Sequence, residues 1–466
     1  MSGTALRHAG HELPGAHELK AARWPRLSTD AAEVAQVVAA AVRRRRGDEP
    51  PSVAHEEHLL TDVRDAIDML IAAPGESGLS LAVLADLSHD DAYRQDVTRN
   101  TAMLASHLFP LSLLIYGADL ENITCLAHDR WMVSTVGRKV ALLGPGPFSS
   151  DDAVIEYFRR IIRLRGVTGD QSITDATPIA EANIGSIIRI CVAKRPAVSG
   201  QAGVKAAIRI PARSKVRTLD DYVAQLIMPA GCARFIEACV RGRANLMIAG
   251  GTSTGKTTLL RVLCGMVPES EHVVVVEDGA ELHLDQDRGD GRPWHELTSA
   301  VSTIPSVRAD SEAQHLTMFE LVRHALRFQP DRLVLGESRG EEMGAVCKAL
   351  MTGHDGSMTT IHAEDAELAV EQAVQYVMEN ARFGGNERLA RRVVEQAIHV
   401  VIHLANQEGR RRVTGVLAVE RGGNHKWVYR QADSGSLRRM TDAVANLGRL
   451  APRVRPHLPD DQVPAL

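Results

Sequence analysis

Aromatic residues are scarce in this chain of 466 residues, where Phe, Trp and Tyr together make up 4%. A core poor in aromatic rings must be built from the aliphatic side chains of Ala, Val, Leu and Ile. This composition favours a helix-rich α/β protein over a β-sandwich. With 44% hydrophobic and 24% charged residues, a chain of this length is expected to form two or three domains with substantial cores.

Paired cysteines and a strong excess of charge are also lacking. The six cysteines include no C-x-x-C pair, so neither a zinc site nor a disulfide framework is predicted. The formal net charge is −4, whereas binding to a phosphate backbone usually requires a basic excess or a basic face. We therefore expect no direct contact with nucleic acid.

Long apolar runs are absent as well. No window approaches 18 apolar residues, and the polar stretch from Arg7 to His11 lies where a signal peptide needs an apolar core. The expectation is a cytoplasmic protein that neither spans a membrane nor is exported. Action at a membrane then requires recruitment by a partner, which would place the protein peripherally at the inner face of the cell membrane.

Changes in hydrophobic periodicity predict six regions along the chain. They are a disordered tail over residues 1–30, a helical extension over 31–97, an α+β domain over 98–203, a linker over 204–218, an α/β domain over 219–430 and a C-terminal tail over 431–466. In the fifth region short apolar runs alternate with helical patterns, which indicates a parallel sheet.

A phosphate-binding loop lies near the start of this α/β region. The stretch GGTSTGKTT matches the pattern G-x-x-x-x-G-K-[ST] at Gly250, Gly255, Lys256 and Thr257, between an apolar run and a helical pattern. Glycine leaves room for backbone N–H groups to converge on an anion. Lys256 would approach the β- and γ-phosphates, and the Thr257 hydroxyl would ligate Mg²⁺. The predicted nucleotide-binding residues are Gly250, Gly251, Thr252, Ser253, Thr254, Gly255, Lys256, Thr257 and Thr258.

Two acidic clusters follow short apolar runs, where an open parallel sheet presents its ligands. Glu277 and Asp278 come directly after four valines, and carboxylates there can hold Mg²⁺ or orient the attacking water. The alternative is a polar turn leaving the sheet. Glu337 follows the run Leu333 to Leu335 and is the leading catalytic candidate, either polarising the lytic water or steadying the metal. The alternative is a surface glutamate.

A glycine-flanked segment carries two histidines, His354 and His362. A single histidine is more often a structural residue than a functional one. Two in one segment after the glutamate strand suggest that one of them, His362, reports the γ-phosphate to the sheet. A purely structural role remains the alternative.

The order of these motifs resembles that of the secretion-superfamily traffic ATPases of type II and type IV secretion and type IV pilus systems. The stretches GGTSTGKTT, VEDGAEL, VRHALRFQPDRLVLGESRG and TGHDGSMTTIHA match the Walker A, Asp box, Walker B and His box of that family. The resemblance spans roughly residues 100–415 and is strongest to the CpaF-type branch, which drives assembly of tight-adherence (Flp) pili.

The resemblance implies a RecA-like P-loop core and an N-terminal α+β domain, with Mg²⁺ and ATP held between them. It also implies a homohexamer that acts on polytopic inner-membrane platform proteins of a pilus or secretion system. Arginines complete such sites, and by position the matching residues are Arg189 and Arg209, with Arg339 a weaker candidate. Each could instead form an ordinary salt bridge. In this scheme Glu277 assists Glu337, and Asp278 joins Thr257 and Glu337 around Mg²⁺.

This sequence departs from the family pattern at several positions. Ser253 lies where many phosphate-binding loops carry another glycine, Gly279 replaces the usual threonine or alanine of the Asp box, and Gln329 lies where an arginine is common. The segment Ser302 to His315 is not of the usual form. These departures indicate slow turnover or a divergent paralogue with its own partner.

Two other functions remain compatible with the motifs. A nucleic-acid motor for conjugation or DNA uptake would use the same core, although the acidic net charge and the lack of interleaved aromatic and basic residues argue against it. A nucleotide-gated assembly factor that hydrolyses ATP only weakly would fit the departures in sequence.

Overall fold

The computed structural model describes residues 22–24, 29–46, 58–77, 79–116, 120–135, 138–143, 146–163, 173–184, 188–210, 216–286, 288, 292–303, 317–432, 435–440 and 447–458. The chain divides into two compact units, Met1–Arg213 and Ser214–Leu466. Within these ranges every helix is too short or too polar to cross a membrane.

The helices of the first unit precede and flank a sheet. They are α1 (Thr29–Arg46), α2 (Leu59–Ala72), α3 (Pro74–Ser77), α4 (Leu81–His89), α5 (Asp91–Ala105), α6 (Ser112–Ile115) and α7 (Asp151–Arg163). Side chains of α1, α2 and α5 such as Val38, Leu59 and Val97 share one buried core with Ile123 of the sheet and Phe158 of α7. The segment predicted as a helical extension therefore packs into the same unit as the α+β domain.

The sheet of the first unit comprises β1 (Ala22–Arg23), β2 (Asn122–Ala127), β3 (Arg130–Thr135), β4 (Arg138–Leu143), β5 (Ile179–Ile184), β6 (Ile188–Lys194) and β7 (Val204–Arg209). Among the described residues their order is β1-β4-β3-β2-β7-β6-β5.

Two segments of this sheet differ from the regions that the sequence predicted. β7 lies between β2 and β6, although its residues were assigned to the linker, because Val204, Ala206 and Ile208 alternate into the core. β1 lies inside the predicted disordered tail but pairs with β4, and Trp24 packs edge-on against Trp131. The rest of that tail, residues 1–21 and 25–28, lies outside the described residues.

The second unit is an α/β fold. Its helices are α8 (Leu219–Ala224), α9 (Ala230–Arg241), α10 (Lys256–Cys264), α11 (Met318–Ala325), α12 (Glu342–Leu350), α13 (Ala366–Glu379), α14 (Glu387–Ala397) and α15 (Ala451–Val454). Its strands are β8 (Leu246–Gly250), β9 (Val273–Glu277), β10 (Thr298–Ser302), β11 (Arg332–Ser338), β12 (Met358–Ile361), β13 (Val400–Gln407), β14 (Arg410–Ala418), β15 (Lys426–Gln431) and β16 (Leu437–Arg439).

The described strands of this unit form one sheet in the order β10-β9-β11-β12-β8-β13-β14-β15-β16. Pairing is parallel from β10 to β13 and antiparallel from β13 to β16. Every residue of β8 and β9 is buried, as expected for parallel strands covered on both faces. The predicted α/β class, a RecA-like P-loop core preceded by an α+β domain with N-terminal helices, is confirmed.

The α/β unit extends beyond residue 430, where the sequence placed a C-terminal tail. β16 adds to the sheet, and the segment 447–458 packs onto its core through Leu447, Leu450 and Val454. The carbonyl oxygen of Arg453 lies so close to Gly242 that a Cβ there would be 1.9 Å away. This segment is therefore part of the domain, because it covers apolar surface of α9.

Buried polar contacts join the amino-terminal ends of the central strands. Asn245 donates from its backbone to Nδ1 of His399 at 2.8 Å and accepts from the Gly356 amide through Oδ1 at 2.8 Å. The ring nitrogen of His399 must be unprotonated to accept this bond. Burial, followed by the nearby charges of Arg449 and Arg453, lowers the pKa of His399 to about 3, against a smaller opposing effect of Asp355.

We predict that His399 makes the stability of the protein pH-dependent. Above pH 6.5 the ring is neutral in both states. As the pH falls, His399 binds a proton in the unfolded chain but stays neutral in the folded chain. This difference lowers the free energy of unfolding by about 2 kcal/mol between pH 7 and pH 5. The loss of melting temperature over this range should be smaller in His399→Asn, whose side-chain oxygen can replace Nδ1. An equal loss in His399→Asn and in the surface variant His324→Asn would contradict the assignment.

Candidate functional site

At Gly250 the loop between β8 and α10 approaches neighbouring backbone too closely for a side chain. Gly250 has a φ of +153°, and a Cβ there would lie 2.3 Å from the carbonyl oxygen of Leu404 on β13. Gly255 has a φ of +98° and directly precedes α10. These glycines let the loop turn sharply and leave backbone N–H groups at the helix amino terminus, which is the geometry that binds phosphate.

Lys256 folds back over this loop. Its side chain is buried, and Nζ donates to the carbonyl oxygens of Gly250 at 2.9 Å and Gly251 at 2.8 Å. The Thr254 hydroxyl also donates to Gly251, at 2.9 Å. The ammonium group is thereby held at the mouth of the loop, where phosphate oxygens of a nucleotide would bind.

A bulge in β11 carries Glu337. The register with β12 passes from Leu335 opposite Thr359 to Ser338 opposite Ile361, so that β11 contains one extra residue. The Thr360 hydroxyl donates to the carbonyl oxygen of Gly336 within this bulge, at 2.7 Å. Bulges beside active sites turn a side chain away from the regular strand alternation.

Glu337 contacts a histidine and an arginine. One carboxylate oxygen lies 2.6 Å from Nε2 of His362, and the other accepts a bond of 2.7 Å from Arg339. The second ring nitrogen of His362, Nδ1, lies 3.4 Å from Nζ of Lys256. Burial and then the Lys256 charge lower the pKa of His362, although Glu337 opposes this shift. A continuous set of contacts therefore runs from the phosphate loop through the His box to the Walker B strand.

The Asp box lies beside the same bulge. The Glu277 carboxylate accepts bonds from the amides of Glu281 at 3.2 Å and Leu282 at 3.0 Å, and its Cγ would be 2.9 Å from a Cβ on Gly336. Burial raises the pKa of Glu277 to about 7, against these backbone bonds. Glu277 thus holds its own turn in place.

The side chain of Asp278 is exposed, whereas that of Glu277 is buried. It accepts from the Thr303 hydroxyl at 2.6 Å and from Arg339 at 3.1 Å. Arg339 therefore bridges Asp278 and Glu337 and brings the Asp box to the Walker B carboxylate. Gly279, one of the residues that depart from the family pattern, has a φ of +92°. Glycine is suited to this turn because other residues rarely adopt that conformation.

The residues present fit a magnesium-bound nucleotide. A Cβ at Gly250 would lie 2.3 Å from the Leu404 carbonyl oxygen and 2.7 Å from Oγ1 of Thr254, so the loop needs glycine at this position. Thr257 is the second residue of α10 and provides a hydroxyl oxygen. Asp278 and Glu337 provide carboxylate oxygens, the ligand type that Mg²⁺ prefers. Lys256 provides the positive charge for phosphate.

Comparison with known sequences identifies the family. The family described as type II/IV secretion system protein matches residues 150–435, which is more than half of the chain. The chain belongs to this family. It is a P-loop ATPase, as the sequence predicted, because family membership coincides with an intact phosphate loop.

Relatives of this chain include proteins named for conjugal transfer and for type IV secretion. A Mycobacterium tuberculosis protein named for conjugal transfer is 30% identical over 283 residues, which are 59% of this chain and 74% of that protein. The type IV secretion system protein VirB11 of Brucella suis is 28% identical over 262 residues, 51% of this chain and 69% of that protein.

Solved structures show more distant similarity. The VirB11 ATPase of Brucella suis in complex with sulphate has a TM-score of 0.35 at 23% identity, over 67% of this chain and 96% of that chain. The Legionella pneumophila ATPase DotB has a TM-score of 0.46 at 19% identity, over 65% of this chain and 78% of that one.

Arg189, Arg209 and His354, which the sequence also singled out, are carried by other segments of the chain. Arg189 and Arg209 belong to the first unit, where they are ladder partners on β6 and β7. His354 bonds through Nδ1 to the carbonyl oxygen of Ala349 at the end of α12, at 3.1 Å. His354 therefore takes the structural role that remained open for one of the two histidines.

Residues of the β13–β14 hairpin were missed by the sequence reasoning. His403 is buried on β13 and bonds the Thr414 hydroxyl at 2.5 Å and the backbone of Ala363, which follows His362. On β14, Arg411 reaches the phosphate loop. A histidine interrupting the apolar run Val400 to Leu404 was a usable signal, whereas nothing local distinguishes Arg411 from its neighbours.

We predict that Gly250→Ala disrupts the loop while Gly251→Ala does not. The added Cβ at Gly250 meets the Leu404 carbonyl oxygen at 2.3 Å, whereas at Gly251 it makes an ordinary contact of 3.8 Å with Cγ2 of Thr254. Gly250→Ala should lower the free energy of unfolding by about 2 kcal/mol or more, because backbone must move. Melting curves of the two variants would measure this. Equal stability would contradict the close approach of β8 and β13.

Proposed function

We propose that this ATPase hydrolyses Mg·ATP within a homohexameric ring and transmits domain movements to polytopic inner-membrane platform proteins of a pilus or secretion system. The observation that supports this proposal best is the set of contacts joining Lys256, His362 and Glu337. In this proposal the three residues act as a phosphate-binding cation, a polar reporter and a catalytic carboxylate, respectively. The chain then acts peripherally at the cytoplasmic face of the membrane.

Binding of the triphosphate is the task of the loop. Backbone N–H groups from Gly251 to Thr258 and the amino terminus of α10 surround the phosphates. Lys256 exchanges its bonds with loop carbonyls for bonds to β- and γ-phosphate oxygens. Thr257, Asp278 and Glu337 would hold Mg²⁺ directly or through water. The metal would neutralise charge that develops on the phosphates.

Glu337 polarises the attacking water. The carboxylate is held between Arg339 and His362, so its orientation is fixed before the nucleotide binds. His362 lies between Lys256 and Glu337 and responds to loss of the γ-phosphate by changing its contacts. Glu277 assists by fixing the turn that carries Asp278, because its oxygens bond the backbone of that turn.

Arg189 and Arg209 complete the site in the assembled ring. Their backbones pair directly across β6 and β7, so two guanidinium groups lie on one face of the first sheet. Two neighbouring guanidinium groups can together bind the oxygens of one phosphate group. Stabilising transferred phosphate charge is the role we assign to them.

The motif order favours a CpaF-type tight-adherence pilus system. A nucleic-acid motor is the second candidate, because one relative is named for conjugal transfer. The net charge of −4 argues against a strand of DNA as the direct substrate. A weakly hydrolysing, nucleotide-gated assembly factor is the third.

We predict that one substitution in this site abolishes ATP binding and that another impairs only hydrolysis. Lys256→Ala should abolish ATP binding, because the phosphates lose their fixed cation. Glu337→Gln should bind ATP normally and lower kcat by about 100-fold or more, since the amide cannot polarise water. Calorimetric titration and phosphate release would measure these effects, with Glu341→Gln as a neighbouring surface control. Wild-type turnover in Glu337→Gln would remove Glu337 from its role.

Stimulation by DNA separates the first two candidates. A nucleic-acid motor would hydrolyse ATP faster with DNA, and this effect would fall steeply as salt rises. We expect the purified ring to turn over ATP at the same rate with and without single- or double-stranded DNA at low salt. Salt-dependent stimulation would favour the motor, and no measurable turnover would favour the assembly factor.

A further inference from the structure

The phosphate loop contains a residue in an unfavourable backbone conformation. Ser253 has a φ of +59°, in the left-handed region that residues other than glycine rarely occupy. Many loops of this kind carry glycine here, which adopts that region without a steric penalty. An interaction from outside the loop can offset the cost of this conformation.

Arg411 provides such an interaction. It lies on β14 opposite Asn406 of β13, and its Nε donates to the carbonyl oxygen of Ser253 at 3.2 Å. Its Cδ would lie 3.2 Å from a Cβ on Gly255, so the side chain also packs along the end of the loop. One arginine thus contacts both positive-φ residues at this end of the loop.

The bond fixes a peptide plane. In a trans peptide the C=O and the following N–H point in opposite directions. When Arg411 holds the Ser253 carbonyl on its side, the N–H of Thr254 must point away from Arg411. Loops of this kind bind phosphate through such N–H groups, so their direction sets affinity.

We propose that Arg411 is a positioning residue for the triphosphate of ATP, required because Ser253 replaces glycine. The inference rests on the proposed function, since it assumes that the loop binds ATP. Arg411 acts through the Ser253 carbonyl. Its contribution to ATP affinity disappears when residue 253 is glycine, which adopts the left-handed conformation without a steric penalty.

A double-mutant cycle tests this. The dissociation constant of a non-hydrolysable ATP analogue is measured for wild type, Arg411→Ala, Ser253→Gly and the double variant. The melting temperature of each variant is measured as well, so that a loss of affinity is compared only between variants that are equally well folded. Arg411→Ala should weaken binding about five- to tenfold, as for loss of a charge-assisted hydrogen bond. Ser253→Gly is the reference for the double variant, and Arg411→Ala should weaken binding less than about twofold in that background.

Two further variants sharpen the result. Arg410→Ala, on the same strand with an exposed side chain, should leave binding unchanged. Arg411→Lys should lose less affinity than Arg411→Ala, because an ammonium group can still donate to a carbonyl oxygen. In steady-state assays Arg411→Ala should raise KM with little change in kcat, since binding is affected more than chemistry.

The outcomes that overturn the proposal are distinct. Unchanged affinity in Arg411→Ala would remove the role altogether. An equal loss with and without Ser253→Gly would mean that Arg411 acts directly on the nucleotide instead of through Ser253. If wild type itself fails to bind the analogue, the proposed function fails, whereas binding by wild type with no effect of Arg411→Ala defeats this inference alone.

Discussion

Parallel pairing of β8, β12 and β11 is the constraint on which the site depends. Neighbouring parallel strands end at the same edge of a sheet, so a polar residue after any of them emerges beside the others. Lys256 follows β8, His362 follows β12, and Glu337 lies at the end of β11. The hydrophobic strands that make the core of the α/β unit thus also determine where its chemistry occurs.

Side chains of alternating charge contact one another along this edge of the sheet. Arg339 is placed between the carboxylates of Asp278 and Glu337, and Glu337 lies between Arg339 and His362. The lowered pKa of His362 keeps its ring neutral near neutral pH, which suits a residue between a cation and a carboxylate. A nucleotide with its metal would enter a set of groups whose charges are already matched in pairs.

Sequence reasoning reached the motifs because their signals are local. Strand, glycine loop and helix around Lys256 follow one another directly, and Glu337 ends a short apolar run. The bulge that aims Glu337 was not predictable, since it depends on register with β12. The roles of His403 and Arg411 were missed for a similar reason, because a hairpin distant in sequence pairs against β8. The segment 447–458 was assigned to a tail although Leu447, Leu450 and Val454 recur at a helical spacing, a local signal that was not used.

A structure of the protein with Mg²⁺ and a slowly hydrolysed ATP analogue tests the central claim most directly. The account predicts a γ-phosphate oxygen within hydrogen-bond distance of Lys256 Nζ and a water molecule between that phosphate and Glu337, with His362 beside both. A triphosphate bound in the loop with Glu337 and His362 turned away from the γ-phosphate would contradict it. Only a generic nucleotide site would then remain.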